Sequence, residues 1–310
     1  MHKYFVLLIG GPIYLLSLLP LGVLYKLTGF FVFLLSRILG YRRSTVLINI
    51  ARSFPEFKYD KVEKTSKKFY KNLASIAAEN IKMISVSEKK VSEMASVNNP
   101  QVLNDLYKKS TPVVIVAGHC GNWEMLGFTD LFNKNGTIGF SPEQLYFIYK
   151  RQHSEFSDHL AKLMRRWARK EPVLIESKSA ARAIIKNKEQ PGCYFMFADQ
   201  APLPGAKFAV DFLNQETFMI NGPEVISRLA ACPVVFLELQ RERRGRYIID
   251  LHLITENAAE TEPGFVTARY AHLLQEAIRK QPDNWLWSHK RWKRGRKENM
   301  LKKYKDENEN

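Results

Sequence analysis

The chain has few cysteines and no stretch that resembles a flexible linker. Its 310 residues include 3 cysteines, and none of them forms a CxxC pair. A disulfide framework and a zinc-finger site are therefore excluded, and a sparse, odd count is typical of a reducing compartment. Internal repeats and low-complexity runs are also absent, which favours one large domain without a structural metal site.

Acidic residues are scarce relative to basic ones. The chain has 47 Lys and Arg against 31 Asp and Glu, a net charge of +16. A basic excess of this size predicts an anionic partner: nucleic acid, an acidic protein or a phospholipid surface. Because the chain has no zinc-finger spacing, RNP-like motif or basic zipper, we do not expect it to bind nucleic acid.

Charged side chains are missing from residues 4–25, and apolar sequence resumes after Lys26 up to residue 39. As one helix, residues 4–25 would extend ~33 Å, enough to cross a hydrocarbon core of ~30 Å. Gly10, Gly11, Pro12 and Pro20 would kink such a helix, so a hairpin in one leaflet is an alternative. A pair of buried core helices is another.

Basic residues are distributed unevenly around this apolar segment. Lys3 precedes it, whereas Lys26, Arg37, Arg42 and Arg43 lie within or after it. The positive-inside bias then predicts that the rest of the chain is cytoplasmic. We therefore expect an N-terminal hydrophobic, membrane-anchoring helix within residues 1–40.

The most informative stretch is residues 112–131, PVVIVAGHCGNWEMLGFTDL. Its apolar, β-branched start predicts a buried strand, and Gly118 then breaks the strand and presents His119. Asn122 is a good N-cap candidate for a following helix. Side chains at the carboxyl ends of strands lie where open α/β sheets bind ligands, so this turn is the predicted site.

His119 and Glu124 are the predicted catalytic residues. They are five positions apart, and ~100° per residue would turn them away from each other on one continuous helix. They meet only if His119 lies in the turn and Glu124 in the first helical turn. Glu124 then accepts from one imidazole nitrogen while the other nitrogen faces a substrate nucleophile. The alternative is a packed or surface histidine, and Cys120 is interpreted as a small turn residue rather than a nucleophile.

Strands and helices alternate after this turn. Strands are predicted at residues 145–149, 173–175, 192–198, 234–240 and 247–254, and helices at 61–82, 154–170, 179–188, 224–230 and 268–280. The basic residues 241–246 are predicted to form a turn, and the helix at 61–82 an ordinary amphipathic surface helix. This alternation predicts an α/β fold with a mixed, mostly parallel sheet flanked by helices.

Five polar side chains are predicted to bind substrate. Arg151 follows the second predicted strand, and its guanidinium fork suits a phosphate. Asp199 and Gln200 follow the third strand, where a carboxylate can order Arg151 or bind an acceptor sugar. Arg166, in a basic helix, is assigned to an anionic headgroup, and Asn122 of the turn completes the set.

Trp285, Trp287 and Trp292 are interleaved with Lys and Arg near the C-terminus. Indoles beside cations are typical of the boundary between bilayer and water, which predicts membrane contact. The alternative is that the indoles pack inside the protein and the cations are solvated.

The stretch GHCGNWE resembles the His-x4-Asp/Glu motif of the lysophospholipid acyltransferase superfamily, and specifically its lipid A late-acyltransferase branch. Further similar pieces follow in family order: YKR at 149–151, FADQ at 197–200, DFLNQET at 211–217 and PDNWLWSHKRWK at 282–293. The triplet FLN at 212–214 and the triplet YKR at 149–151 differ from the sequences usual in the family. Both departures lie in regions expected to touch substrate.

The resemblance implies a membrane-associated O-acyltransferase that needs no cofactor. Its acyl donor would be an acyl-carrier-protein thioester and its acceptor a hydroxyl of a lipid A precursor, a membrane glycolipid. An acidic carrier protein and an anionic membrane surface both fit the net charge of +16.

The implied location is the bacterial inner membrane, with the catalytic domain on the cytoplasmic side. Residues 1–40 would be the anchor, 41–297 the acyltransferase domain and 298–310 a polar tail. An acyltransferase with another acceptor, such as a lysophospholipid, aminolipid or glycolipid, is the first alternative. A non-catalytic, basic membrane-binding protein is the second.

Overall fold

The apolar segment Pro112–Ala117 forms the central strand of a sheet, and all six of its residues are buried. The structure is a computed structural model that describes residues 2–127, 138–149, 173–202, 206 and 208–292. Within these residues the strands are β1 (Ala95–Val97), β2 (Pro112–Ala117), β3 (Leu145–Tyr149), β4 (Val173–Glu176), β5 (Gly192–Phe197), β6 (Ala209–Phe212), β7 (Gln215–Phe218), β8 (Val234–Arg243) and β9 (Arg246–Thr255).

Helices flank this sheet. In the described residues the α-helices are α1 (His2–Leu18), α2 (Leu21–Phe33), α3 (Arg43–Ser53), α4 (Tyr59–Met83), α5 (Glu88–Ser92), α6 (Gln101–Tyr107), α7 (Ala180–Lys186), α8 (Gly222–Leu229) and α9 (Phe265–Lys280). Of these, α1 and α2 pack on α4. A π-helical turn, Leu34–Ile38, continues α2, and a 3-10 helix, Trp123–Gly127, follows the turn after β2. The predicted helix at 154–170 lies outside the described residues.

The sheet has seven strands in the order β1-β9-β8-β2-β5-β3-β4, and β6 and β7 form a separate hairpin. β2 runs parallel to both of its neighbours, β5 and β8, whereas β9 runs antiparallel to β8. The predicted mixed, mostly parallel α/β sheet is therefore confirmed. The basic turn predicted at 241–246 is shorter than expected, because β8 continues to Arg243 and β9 begins at Arg246.

Side chains of β2 alternate between the two faces of the sheet. Val114 and Val116 join the apolar cluster that includes residues of α3, α4, α7 and α9. Val113, Ile115 and Ala117 join the cluster on the opposite face, which includes residues of α6. A strand covered on both faces has no polar side to show, which is why β2 is an uninterrupted apolar run.

The N-terminal apolar segment is not one helix. α1 ends at Leu18 and α2 begins at Leu21, because Pro20 cannot continue the hydrogen bonding of α1. Lys82 of α4 donates to the carbonyls of Ser17 (2.9 Å) and Leu19 (3.0 Å) at this break. The hydrophobic N-terminal helix predicted within residues 1–40 is therefore present as two helices with a break at Pro20. Two carbonyls at the break accept hydrogen bonds from Lys82.

One stretch of the described residues, Leu21–Ile38, is long and apolar enough to cross a membrane, and 17% of it is buried. Large apolar side chains along it face outward, including Phe30, Phe31, Phe33, Leu35 and Ile38. The alternative of a buried core helix is therefore excluded for this stretch.

α4 is more than the surface helix that its amphipathic pattern predicts. It packs against α1, α2 and α3, and its buried positions include Phe69, Tyr70, Ile76 and Glu79. The helix therefore joins the N-terminal helices to the sheet, and a charged residue lies on its buried side.

The C-terminal indoles are packed inside the protein. Trp285 and Trp287 are 2% and 0% exposed, and the indole N–H of Trp292 donates to Thr217 Oγ1 (2.8 Å). Arg291 is also buried and donates to the carbonyl of Phe218 (2.6 Å). Membrane contact by Trp285 and Trp287 is therefore wrong. The packing alternative is confirmed for these indoles, whereas Arg291 is buried rather than solvated.

Trp287→Ala is expected to lower the free energy of unfolding by about 3–5 kcal/mol, the usual cost of removing a fully buried large aromatic side chain. Urea denaturation in mild detergent measures it. Tyr59→Ala is the control, because Tyr59 is 68% exposed and its loss is expected to change stability by less than about 0.5 kcal/mol. Equal stability losses in the two variants would contradict the packing described above.

Candidate active site

His119 lies two residues beyond the carboxyl end of β2, and Asp199 lies two residues beyond the carboxyl end of β5. The parallel register pairs Ala117 with Phe197, so the two chain segments leave the sheet side by side. The backbone N–H of His119 donates to Asp199 Oδ2 (2.8 Å), and Nδ1 lies 2.6 Å from Asp199 Oδ1. One carboxylate thus holds both the backbone and the ring of His119.

Asp199 is buried and accepts a further hydrogen bond, from the indole N–H of Trp285 (2.8 Å). Burial alone would raise the pKa of this carboxyl. The charge and hydrogen bonds of His119, together with the indole N–H, outweigh burial and lower the pKa of Asp199 to about 2. Asp199 is therefore ionised at neutral pH. An ionised carboxylate only accepts hydrogen bonds, so the proton of this contact belongs on Nδ1 of His119.

The imidazole of His119 is largely enclosed, with 15% of the side chain exposed. Its ring lies edge-on to Trp123 (5.2 Å between ring centroids) and tilted against Phe197 (4.8 Å). Burial disfavours the charged ring, but the charge and hydrogen bond of Asp199 and the charge of Glu124 outweigh burial. Together they raise the pKa of His119 above its ordinary value of 6.5.

With Nδ1 bound to Asp199, Nε2 is the nitrogen that can accept a proton. The side-chain nitrogen of Gln200 lies 3.3 Å from Nε2. Gln200 was predicted as a substrate ligand, and the structure brings it to the reactive side of the ring. The Gln200 amide occupies a position from which a substrate hydroxyl could donate its proton to Nε2.

Glu124, predicted to accept from one imidazole nitrogen of His119, is not the carboxylate at Nδ1. It lies in the first turn of the 3-10 helix Trp123–Gly127, as the spacing requires, but Asp199 is the carboxylate at Nδ1. Its effect on His119 is that of a nearby negative charge. The partner of the imidazole is thus corrected from Glu124 to Asp199, and the catalytic roles of His119 and Glu124 stay a prediction.

The turn between β2 and the 3-10 helix is held by the C-terminal segment. Gly121 donates from its backbone to the carbonyl of Asn284 (2.9 Å), and Leu286 donates to the carbonyl of His119 (3.1 Å). Gly121 has a φ of 54°, and a Cβ there would lie 2.9 Å from the ring of Tyr247. Only glycine fits without strain, which explains the residue at this turn.

Asn122 is fully buried, and its side-chain amide donates to Glu79 Oε2 (3.1 Å). The prediction that Asn122 contacts substrate is therefore corrected, because a side chain buried in this way points into the protein. Asp199 binds His119 and Trp285 among the described residues, and its predicted role beside Arg151 or an acceptor sugar stays a prediction. Arg151 and Arg166 lie outside the described residues.

Glu79 connects this turn to the N-terminal helices. It is 0% exposed and accepts hydrogen bonds from the hydroxyls of Tyr25 (3.1 Å) and Tyr247 (2.7 Å). It also accepts from the backbone N–H of Gly245 (3.0 Å) and from Asn122. One carboxylate of α4 therefore ties α2, the tip of the β8–β9 hairpin and the turn after His119 together.

Neither Glu79 nor Trp285 was among the sequence-predicted site residues. A signal for Glu79 exists, because it follows Ile76 by three positions on the apolar face of α4, where a carboxylate needs partners. Trp285 carries no such local signal, since its partner Asp199 is distant in the sequence.

Cys120 is not a nucleophile. It is buried, and burial, with the nearby charges of Asp199 and Glu238, raises the pKa of its thiol well above the ordinary range. A protonated, enclosed thiol does not attack a carbonyl. Within the described ranges, no group of three or more His, Cys, Asp and Glu side chains is arranged to hold a metal ion.

Residues 1–294 match the model of a protein family described as bacterial lipid A biosynthesis acyltransferase. The match includes the described site residues and the N-terminal helices. No curated protein matches the chain significantly.

Glu79→Gln is expected to lower the free energy of unfolding by about 2–4 kcal/mol, because an amide replaces a buried acceptor that four donors share. Chemical denaturation measures the loss. The matched control is Glu256→Gln, since Glu256 forms an exposed ion pair with Lys109 and its replacement is expected to cost less than about 0.5 kcal/mol. If the Glu79→Gln variant were as stable as the parent protein, Glu79 would not connect these elements as described.

Proposed function

The chain belongs to the bacterial lipid A biosynthesis acyltransferase family, and from that premise we propose that His119 is the general base that activates the acceptor hydroxyl. The family consists of acyltransferases, so the enzyme class is given and the non-catalytic alternative is set aside. The contact of His119 Nδ1 with Asp199 Oδ1 at 2.6 Å carries the proposal. It directs the unprotonated Nε2 toward the substrate side.

In the proposed reaction, the acceptor hydroxyl takes the place of the Gln200 amide at Nε2. Its oxygen attacks the carbonyl carbon of the acyl thioester while its proton passes to Nε2. The tetrahedral intermediate then collapses, the C–S bond breaks, and the leaving thiolate takes the proton from the imidazolium. Asp199 stays ionised throughout, holding the ring in one tautomer and stabilising its positive charge.

Glu124 contributes to this scheme through its charge. A second carboxylate near the ring favours the imidazolium that forms as the hydroxyl is deprotonated. The proposed catalytic set is therefore His119, Asp199 and Glu124. Arg151 and Arg166 remain proposed ligands for phosphates of the acceptor, since guanidinium groups suit phosphate.

The proposed donor is the thioester of an acyl-carrier protein, and the proposed setting is the cytoplasmic face of the bacterial inner membrane. The net charge of +16 supports both an acidic carrier and an anionic bilayer. The apolar, outward-facing stretch Leu21–Ile38 supports attachment to the membrane.

The substrate assignment is tested with purified protein, an acyl-carrier thioester, and either a lipid A precursor or a lysophospholipid as acceptor. Acyl transfer to the lipid A precursor is expected, measured by mass spectrometry of the lipid product. Transfer to lysophosphatidate alone would overturn the acceptor assignment and leave the His119 chemistry standing.

Asp199→Asn is expected to lower kcat by about 10³- to 10⁴-fold, the effect that loss of the orienting carboxylate has in Ser-His-Asp triads. The reason is that an amide does not fix the Nδ1–H tautomer or stabilise the imidazolium. Asp105→Asn is the control, because Asp105 lies on α6 with 66% of its side chain exposed and its replacement is expected to leave kcat within about 2-fold. Steady-state kinetics measure both, and an Asp199→Asn enzyme of full activity would contradict the proposed role.

The pH dependence of kcat/KM follows from the raised pKa of His119. The base form is needed, so kcat/KM is expected to rise with pH through an apparent pKa above 6.5. Asp199→Asn removes a negative charge that favours the imidazolium, and its residual activity should therefore show an acid limb at lower pH. Glu124→Gln should shift that limb in the same direction but less, because Glu124 makes no hydrogen bond at Nδ1. An unchanged limb in both variants would contradict the assignment of the titrating group.

A further inference from the structure

A cleft opens where the N-terminal helices meet the domain. It has a volume of about 290 Å³ and lies between α2 with its π-helical turn, α3, α4 and the tip of the β8–β9 hairpin. This volume is close to the lower end of the ~300–1,000 Å³ typical of small-molecule sites. Its lining includes no residue of the turn that carries His119.

The lining of the cleft is strongly basic. Five cationic side chains and one carboxylate, Glu63, line it, and the cations are Arg37, Arg43, Lys67, Lys71 and Arg244. Glu63 lies within ion-pair distance of three of them, at 3.1 Å from Lys67, 3.4 Å from Arg37 and 4.0 Å from Arg43. The hydrogen bonds from Lys67 and Arg37 lower the pKa of Glu63, so its charge is present at neutral pH.

One carboxylate does not balance five cations. In the described part of the chain, Lys71 and Arg244 have no carboxylate partner, and Arg244 stacks over the ring of Tyr25 at 4.7 Å. Cations held close together on three helical segments and a hairpin repel one another unless an anion lies between them. A phosphate group, which accepts hydrogen bonds from both Arg and Lys, meets that requirement.

The cleft also has an apolar wall. Gly29, Val32 and Phe33 of α2 and Leu47 of α3 line it. From this wall an exposed apolar surface continues outward along α2 and the π-helical turn, formed by Phe30, Phe31, Phe33, Leu35, Ile38 and Leu39. A ligand that satisfies both surfaces carries a negative charge at one end and hydrocarbon at the other.

We propose that this cleft binds the headgroup of an anionic bilayer phospholipid, whose acyl chains lie along the apolar surface of α2 and the π-helical turn. The proposal rests on the membrane association put forward above and not on the chemistry of His119. A soluble anion fits the cations but not the apolar wall, and a neutral lipid fits the wall but leaves the cations unbalanced.

The position of the cleft gives the bound lipid a structural link to the active site. Arg244 is followed by Gly245, whose N–H donates to Glu79, and Tyr25 beneath Arg244 donates to the same carboxylate. Glu79 in turn holds Asn122, three residues from His119. β8 also runs parallel to β2 and extends beyond its carboxyl end to reach this tip. A lipid in the cleft therefore lies at the same edge of the sheet as His119.

The experiment uses the full chain in neutral detergent, and native mass spectrometry counts the bound lipid. Phosphatidylglycerol is compared with phosphatidylcholine, and no lipid A precursor is present. We expect phosphatidylglycerol to bind about 10- to 30-fold more tightly, since two unpaired cations favour a headgroup of net negative charge over a zwitterionic headgroup by about that factor. Equal binding of the two lipids would overturn the proposal.

The variant Lys71→Gln/Arg244→Gln is expected to lose most of this preference, about 10-fold or more. Both side chains are exposed, and the unfolding midpoint checks that the double variant folds. If the double variant does not fold, Lys71→Gln alone is used, with an expected loss of about 5-fold. The matched control is Lys186→Gln/Lys188→Gln, which removes two exposed cations near the amino end of β5, at the opposite edge of the sheet. A control that loses as much preference as the cleft variant would overturn the proposal.

Glycerol 3-phosphate separates a lipid from a free phosphate compound. It carries a phosphate monoester, at least as anionic as the phosphodiester of phosphatidylglycerol, but no acyl chains, and we expect it not to displace phosphatidylglycerol at equal concentration. Displacement at equal concentration would overturn the assignment to a bilayer lipid. Asp199→Asn is expected to bind phosphatidylglycerol normally while losing acyl transfer, so failure of the lipid site and failure of the proposed function give different results.

Discussion

One carboxylate determines the geometry of the candidate site. Asp199 accepts from the backbone and the ring of His119 and from the indole of Trp285. Three donors on two buried oxygens hold the carboxylate ionised, which in turn holds a proton on Nδ1 and leaves Nε2 as the basic atom. The strand end, the C-terminal segment and the reactive ring are therefore organised by a single charge.

The sheet determines where Asp199 lies. β2 and β5 are parallel neighbours in register, so the residues that follow their carboxyl ends lie at the same level. Tyr270 of α9 adds to this arrangement by donating to the carbonyl of Ala117, the last residue of β2 (3.0 Å). Parallel sheets tend to bind ligands at the carboxyl ends of their strands. Here the reason is that the ends of β2 and β5 lie close enough for His119 and Asp199 to meet.

A second buried carboxylate connects the site to the apolar N-terminal helices. Glu79 binds groups from α2, from the β8–β9 hairpin and from the turn after His119. The outward-facing apolar stretch Leu21–Ile38 is thus attached to the same edge of the protein that carries the imidazole of His119. For an enzyme whose family acts in lipid A biosynthesis, this places the proposed chemistry close to the surface on which its acceptor would be found.

The sequence by itself determined the α/β class, the buried strand at 112–117 and the turn that presents His119, because these depend on local periodicity and on glycine at the strand end. It also placed Asp199 and Gln200 at the end of a strand. It did not identify the partner of His119, because the order of strands in a sheet depends on long-range packing, and Glu124 was the carboxylate nearest in the chain. The burial of Trp285 and Trp287 was missed for the same reason, since an indole beside cations has the same local composition at a membrane boundary and in a core. Only the tertiary structure decided which carboxylate meets the imidazole, since that contact joins residues 80 positions apart through the pairing of two strands.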